Sequence, residues 1–171
     1  MTIDFTEIDW NCIGDEELQF YYKEAIEANE AVLKSIDNTN NKVFQFLAIA
    51  CGILAVLTGL CLSVWGEEGK GATAWTFFSS CIGFGVVVAI LIITIFPRKT
   101  YSGKALPELI FSGNLYKLKM RKHYSDAIAS CHVFINENMK VHKDRSNLLT
   151  TGLIVFLLIP IIIIVLRIAV F

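Results

Sequence analysis

The residues that most often perform chemistry, the cysteines and histidines, follow no catalytic or metal-binding spacing in this sequence of 171 residues. The five cysteines form no Cys-x-x-Cys pair, and the three histidines are nine and ten residues apart, not at the helical spacing of a metal-binding pair. There is no Walker loop, no Gly-x-Gly-x-x-Gly and no Ser/His/Asp arrangement. We therefore predict no enzyme activity, no metal site and no cofactor. The residues concerned are Cys12, Cys51, Cys61, Cys81, Cys131, His123, His132 and His142.

Apolar residues make up 54% of the chain, which is too many for a soluble domain of this length. They are concentrated in residues 43–65, 72–96 and 148–171, each reaching the roughly 20 residues that a membrane-spanning helix requires. Arg167 is the one charged residue in the three stretches, and it lies near a helix end, where its side chain can extend to the lipid headgroups. The sequence predicts three transmembrane helices.

Charge is segregated between the segments that flank these helices. Residues 1–42 contain ten acidic residues and three lysines, and residues 98–147 contain ten Lys/Arg and four acidic residues. The positive-inside rule therefore predicts a cytoplasmic segment at 1–42, an external hairpin loop at 66–71, a cytoplasmic segment at 97–147 and an external C-terminus.

Both predicted cytoplasmic segments show helical periodicity. The first predicts an amphipathic helix that begins at Asp15 and leads into the first span, and the second predicts a helix from about Leu115 to His142. We expect the last span to begin at a new cap in Asp144, Ser146 or Asn147. Because the two segments have opposite net charges, their apolar stripes are expected to pack against each other. The predicted fold is an all-α membrane protein with three transmembrane helices, an N-terminal amphipathic cytoplasmic helix, and a cytoplasmic helical segment between spans two and three.

The segment after the second span is predicted to turn. Pro97 ends the span because proline lacks an N–H donor and disfavours a helical residue before it. Arg98 and Lys99 follow at the level of the headgroups. Gly113 allows a backbone turn before the next helix.

The order of these segments resembles the Pycsar effector transmembrane family of bacterial antiphage defence, over nearly the whole chain. The matching motifs are Asn-Asn-Lys-Val at 40–43, Pro97-Arg98, Glu-Leu-Ile-Phe-Ser-Gly at 108–113 and Lys-Asp-Arg at 143–145. The chain departs from the family pattern at Asn40, Val43 and Ser112, and it lacks the tyrosine of the last motif.

The resemblance implies an effector in the bacterial inner membrane that a cyclic pyrimidine mononucleotide, cCMP or cUMP, activates to cause abortive infection. A companion nucleotide cyclase would supply this ligand, and no nucleic-acid partner is implied. A phosphate needs cations and a base needs a ring platform, although a basic face near anionic lipid and ordinary helix packing also explain these residues. The candidate ligand-binding residues are Arg98, Arg121, Tyr124, Lys104, Phe111 and Arg145, and the candidate turn and gating residues are Pro97, Gly113 and Lys42.

A homo-oligomer is expected, because reversing a two-state equilibrium from 1:99 to 99:1 requires about 5.5 kcal/mol, more than one small ligand readily supplies. Two alternatives are retained. The first is a pore-forming effector of the SLATT type that answers another nucleotide signal, and the second is a non-signalling membrane scaffold or accessory subunit.

Overall fold

The computed structural model describes residues 8–68, 70–102 and 120–170, and every regular element in these ranges is helical. A short 3₁₀ helix, Trp10–Cys12, is followed by α1 (Asp15–Val64), α2 (Gly71–Ile95) and α3 (Met120–Val170). Each of the three long helices is long and apolar enough to cross a membrane. The all-helical prediction with three candidate spans is therefore confirmed for the described ranges. The predicted turn at Gly113 lies outside them.

Helix α1 begins at Asp15, as predicted, and continues for 50 residues. Its first turn contains three acidic residues, which interact favourably with the positive end of the helix dipole. The Glu17 carboxylate also accepts a hydrogen bond from the Gly14 N–H at 3.1 Å. The amphipathic segment and the first apolar stretch thus form one helix, without a break at the predicted boundary between residues 42 and 43.

Helix α3 is also continuous, over 51 residues. The prediction of a new helix start at Asp144, Ser146 or Asn147 is wrong, because all three lie inside this helix. Residues 120–151 contain no glycine or proline that would interrupt the backbone hydrogen bonds. Each added residue therefore extends an existing helix without a new nucleation step. The proline within α3 is Pro160, deep in the apolar stretch.

Helix α2 ends where the sequence predicts. Phe96, which follows its last residue Ile95, has φ −49° and ψ 133°, the extended conformation favoured before a proline. At the other end, a turn follows α1 at Trp65 and Gly66, and Gly66 has a φ of +87°. Only glycine adopts this backbone conformation without strain.

The chain forms two compact units. The polar unit contains residues 1–36 and 98–142, and the apolar unit contains residues 37–97 and 143–171. Within the polar unit, Leu18, Ile36, Ile128 and Cys131 are buried. A hydrogen bond between Asn29 of α1 and Asn138 of α3 joins the two helices in this unit.

The apolar unit has a core in which all three helices take part. Its buried members are Val43, Ala50, Phe84, Val87, Leu91 and Ile159. Close packing occurs at Gly83, where an added Cβ would lie 3.1 Å from Ile159 Cγ1.

Most of the apolar surface of this unit faces outwards. In the most apolar 18 residues of each long helix, the protein itself buries only 11% in α1, 22% in α2 and 11% in α3. A soluble protein does not leave apolar patches of this extent exposed. The surface is the kind that lipid covers.

Candidate ligand-binding unit

Two buried asparagines hold the segment after α2 in the polar unit. Asn29 of α1 and Asn138 of α3 each have no exposed surface. The Asn138 side chain accepts a hydrogen bond from the Tyr101 N–H at 3.0 Å and donates one to the Tyr101 carbonyl at 2.8 Å. Asn29 donates to the same carbonyl at 2.9 Å and accepts a bond from Asn138 at 2.8 Å. We call this set of four hydrogen bonds the asparagine latch.

The latch places amide groups where apolar side chains would otherwise pack. A buried amide is tolerated only when its donors and acceptors find partners, since leaving one unsatisfied costs about 1–3 kcal/mol. The Tyr101 backbone donates its N–H to the Asn138 side chain and accepts a hydrogen bond from it at the carbonyl. A residue in a β-sheet pairs with a neighbouring strand in the same two-bond manner. This directional pairing fixes the Tyr101 backbone between Asn29 of α1 and Asn138 of α3.

Aromatic contacts accompany the latch. The ring of Tyr101 stacks on Phe134 of α3, with centroids 5.0 Å apart and planes inclined by 1°. The ammonium group of Lys99 lies 5.0 Å from the centroid of the Tyr101 ring, in the range of a cation–π interaction. The Tyr101 ring therefore contacts both Phe134 and Lys99.

A second aromatic group joins the N-terminal parts of α1 and α3. Tyr22 and Tyr124 have ring centroids 5.1 Å apart, and Tyr22 and His123 are 6.4 Å apart. All three side chains are partly exposed. They pack the two helices together and leave ring surface accessible at the edge of the polar unit.

The predicted ligand-binding residues separate into groups. Arg98 and Tyr124 both belong to the polar unit, and each is partly exposed. Arg121 is within α3, and its side chain is outside the described set. Lys104 and Phe111 lie outside the described residues.

Arg145 belongs to the apolar unit and has a different environment. Its side chain is only 5% exposed, and its guanidinium donates to Asn40 Oδ1 at 2.6 Å and to the Phe96 carbonyl at 3.4 Å. One side chain of α3 therefore connects α1 with Phe96, the residue directly after α2. We call this the Arg145 clasp, and it favours a structural role for Arg145 over contact with a ligand. Of the predicted turn and gating residues, Lys42 and Pro97 are exposed.

The latch residues were missed by sequence reasoning, although a signal for them exists. Asn138 lies on the predicted apolar stripe of α3, and Asn29 lies three residues after Ile26 and four before Leu33 on the stripe of α1. An amide in such a position on each of two helices predicts a buried polar pair. The signal does not identify the partner, because Tyr101 contributes its backbone, which any residue type has.

No metal site accompanies these groups in the parts of the chain that the structure describes, where no three His, Cys, Asp or Glu side chains come together. Cys131 of α3 is buried in the polar unit, and this burial raises the pKa of its thiol.

Comparison with known proteins gives no further assignment. No protein-family model matches the chain, and neither a curated protein nor a solved structure does. The similarity to the Pycsar effector transmembrane family remains a hypothesis based on the motifs quoted above.

Proposed function

We propose that the chain is a membrane effector of a bacterial antiphage signalling system. In this proposal a cyclic pyrimidine mononucleotide, cCMP or cUMP, binds the polar unit, and the apolar unit then impairs the integrity of the inner membrane. A homo-oligomer performs this step, and a companion nucleotide cyclase supplies the ligand.

The observation that carries the proposal is the continuity of two helices. Both α1 and α3 contribute residues to the polar unit and to the apolar unit, with no break in either helix. A change in the packing of the polar unit can thus act on helices that continue into the apolar unit, which is one way in which coupling between sites is carried. A scaffold protein has no need of such a connection.

The polar unit also has groups suited to a small anionic ligand with a ring. Lys99 supplies positive charge at the stacked pair of Tyr101 and Phe134, Arg98 precedes it in the chain, and Tyr124 supplies a second ring surface. Charge-assisted hydrogen bonds to a phosphate contribute about 1.5–3 kcal/mol each. With about four sites in an oligomer, the 5.5 kcal/mol needed for full switching amounts to about 1.4 kcal/mol per site.

The proposed orientation places the N-terminus and residues 97–147 in the cytoplasm and the C-terminus outside. The distribution of Lys/Arg supports it. A reporter enzyme active only outside the cytoplasm, fused after Phe171, is expected to give signal. The same reporter fused before Met1 is the control and is expected to give none, and the reverse result would contradict the orientation.

The proposed activity is tested by dye release from vesicles that contain the full-length protein. We expect cCMP or cUMP to release the dye and cAMP to leave it enclosed. The double variant Arg98→Ala/Arg121→Ala is expected to abolish release and to keep membrane insertion. Lys34→Ala/Lys140→Ala, which removes two exposed cations of the same unit, is the matched control and is expected to behave as wild type.

Three outcomes would contradict parts of the proposal. Release by a different nucleotide alone would favour the SLATT-type effector. No release by any nucleotide would favour the scaffold. Undiminished release from the arginine double variant would remove those two residues from the site.

A further inference from the structure

An apolar groove lies between α1 and α2 near the turn that connects them. Its volume is about 340 Å³. Cys61 is buried and Cys81 is partly buried, whereas Leu62 and Trp65 are largely exposed, at 73% and 54%. The lining residues are Thr58, Cys61, Leu62, Trp65, Phe78 and Cys81.

The few polar groups of the groove are already occupied. The Thr58 hydroxyl donates to the Leu54 carbonyl at 2.8 Å, and the Cys61 thiol is directed at the Ala74 carbonyl at 3.9 Å. A bound water needs two to four polar partners, which this lining does not offer. An apolar cavity of about 150 Å³ is already large enough to stay dry and bind benzene, so the groove has room for a longer hydrocarbon.

The residues around the groove indicate which kind of hydrocarbon would occupy it. Trp65, Trp75 and Phe78 form a ring cluster with centroid separations of 5.7–6.1 Å, next to the turn that contains Glu67 and Lys70. Tryptophan is enriched where a membrane-spanning helix meets the headgroups. Leu62 and Trp65, which line the groove, are exposed apolar residues that would meet acyl chains in a bilayer.

We propose that the groove, which we call the acyl groove, binds one acyl chain of a bilayer lipid from the leaflet beside the hairpin turn. The site recognises the chain and not the headgroup, because Lys70 is paired with Glu67 and so offers an anionic headgroup little attraction. This inference rests on the membrane insertion proposed above and is independent of the nucleotide.

The test uses the full-length protein with Trp65 as its single tryptophan, in the background Trp10→Phe/Trp75→Phe. The probe is a vesicle of phosphatidylcholine with bromine on the acyl chain near the glycerol, which quenches tryptophan fluorescence at short range. Filling the groove by Cys81→Leu is expected to reduce the quenching of Trp65 without abolishing it, because the exposed part of the ring still meets bulk lipid. Ala89→Leu makes a similar change at an exposed position of the same helix outside the groove and is expected to leave quenching unchanged.

A second filling variant, Thr58→Leu, acts from the opposite wall and covers the case in which Cys81→Leu does not fold. Replacing the probe by brominated phosphatidylglycerol is expected to give the same quenching. Equal quenching in filled and unfilled proteins would overturn the acyl groove and leave the proposed function standing. Quenching that declines as the protein-to-lipid ratio rises would show a second copy of the chain in the groove and would also overturn the proposal. Absence of quenching in every variant would contradict membrane insertion itself.

Discussion

Replacing Asn138 by alanine tests the asparagine latch, because this residue makes three of its four hydrogen bonds. The change removes the acceptor of the Tyr101 N–H and the donor to Asn29 Oδ1. The Tyr101 carbonyl keeps its bond from Asn29. Two polar groups therefore lose the partners that the structure gives them, and one of the two is fully buried.

The expected cost follows from these two groups. At about 1–3 kcal/mol for each unsatisfied group, with the lower end for the partly exposed Tyr101, Asn138→Ala is expected to destabilise the polar unit by about 2–4 kcal/mol. Asn29→Ala leaves the Tyr101 N–H and carbonyl paired with Asn138 and removes only the acceptor of one Asn138 N–H, so its expected cost is smaller, about 1–3 kcal/mol.

Cys131 provides the assay, since its side chain is 1% exposed and the polar unit must open before a reagent reaches the thiol. Alkylation by iodoacetamide is followed by mass spectrometry of the peptide that contains this residue. A loss of about 2–4 kcal/mol corresponds to an alkylation rate about 30 to 1000 times that of the wild type. Asn136→Ala, an exposed asparagine on the same helix, is the control and is expected to change the rate less than about threefold.

The relative alkylation rates of Asn138→Ala and Asn29→Ala give the sharpest test of this reasoning. If Asn29→Ala accelerates alkylation more than Asn138→Ala does, the Tyr101 N–H does not depend on Asn138. If neither variant exceeds the Asn136→Ala control, the latch does not hold the polar unit together.

Further predictions concern the apolar unit and the buried thiol. Arg145→Met is expected to lower stability by about 1.5–3 kcal/mol, because a charged donor is removed from the clasp, and Arg145→Lys is expected to restore only part of this loss. Thermal unfolding in detergent measures both, and a fully stable Arg145→Met protein would contradict the clasp. Gly83→Val is expected to cost about 1–3 kcal/mol in the same assay because its side chain would meet Ile159, whereas Gly85→Val has open space around it and serves as the control. Equal effects of the two valines would contradict the packing. Because burial raises the pKa of Cys131 above its ordinary value of 9.0, the unfolded chain releases the thiol proton at a lower pH than the folded chain does. Stability is therefore expected to be unaffected by this group below pH 9.0 and to fall as the pH rises above it, and Cys131→Ala is expected to remove that contribution. An unchanged pH dependence in the variant would exclude it.

Local chemistry made several features predictable from the sequence. The length of the apolar stretches, the acidic first turn at Asp15 and the proline after Phe96 each act within a few residues. Local sequence patterns therefore predicted the three candidate spans, the start of α1 and the end of α2.

Other features depend on residues that are far apart in the chain. The sequence contains plausible caps at Ser146 and Asn147, yet a cap forms only where a helix stops, and nothing in this segment stops α3. Arg145 reads as one more cation of a basic segment until the fold places it beside Asn40, 105 residues away. The latch likewise joins Asn29 to Asn138 across 109 residues. Such pairings follow from tertiary packing, and the periodicity of a single sequence does not predict which distant residues come into contact.

The proposed coupling of the polar unit to the apolar unit is tested most directly by interrupting α3 between residues 142 and 143, where the two units divide along the chain. Lys143 is exposed within this helix, so Lys143→Pro breaks the backbone ladder there, and Lys143→Ala controls for the loss of the side chain. In the vesicle assay we expect Lys143→Ala to release dye on addition of cCMP or cUMP as the wild type does. We expect Lys143→Pro to bind the same nucleotide in equilibrium dialysis and to release no dye. Full release from the proline variant would show that the helices do not transmit the signal and would contradict the proposed mechanism.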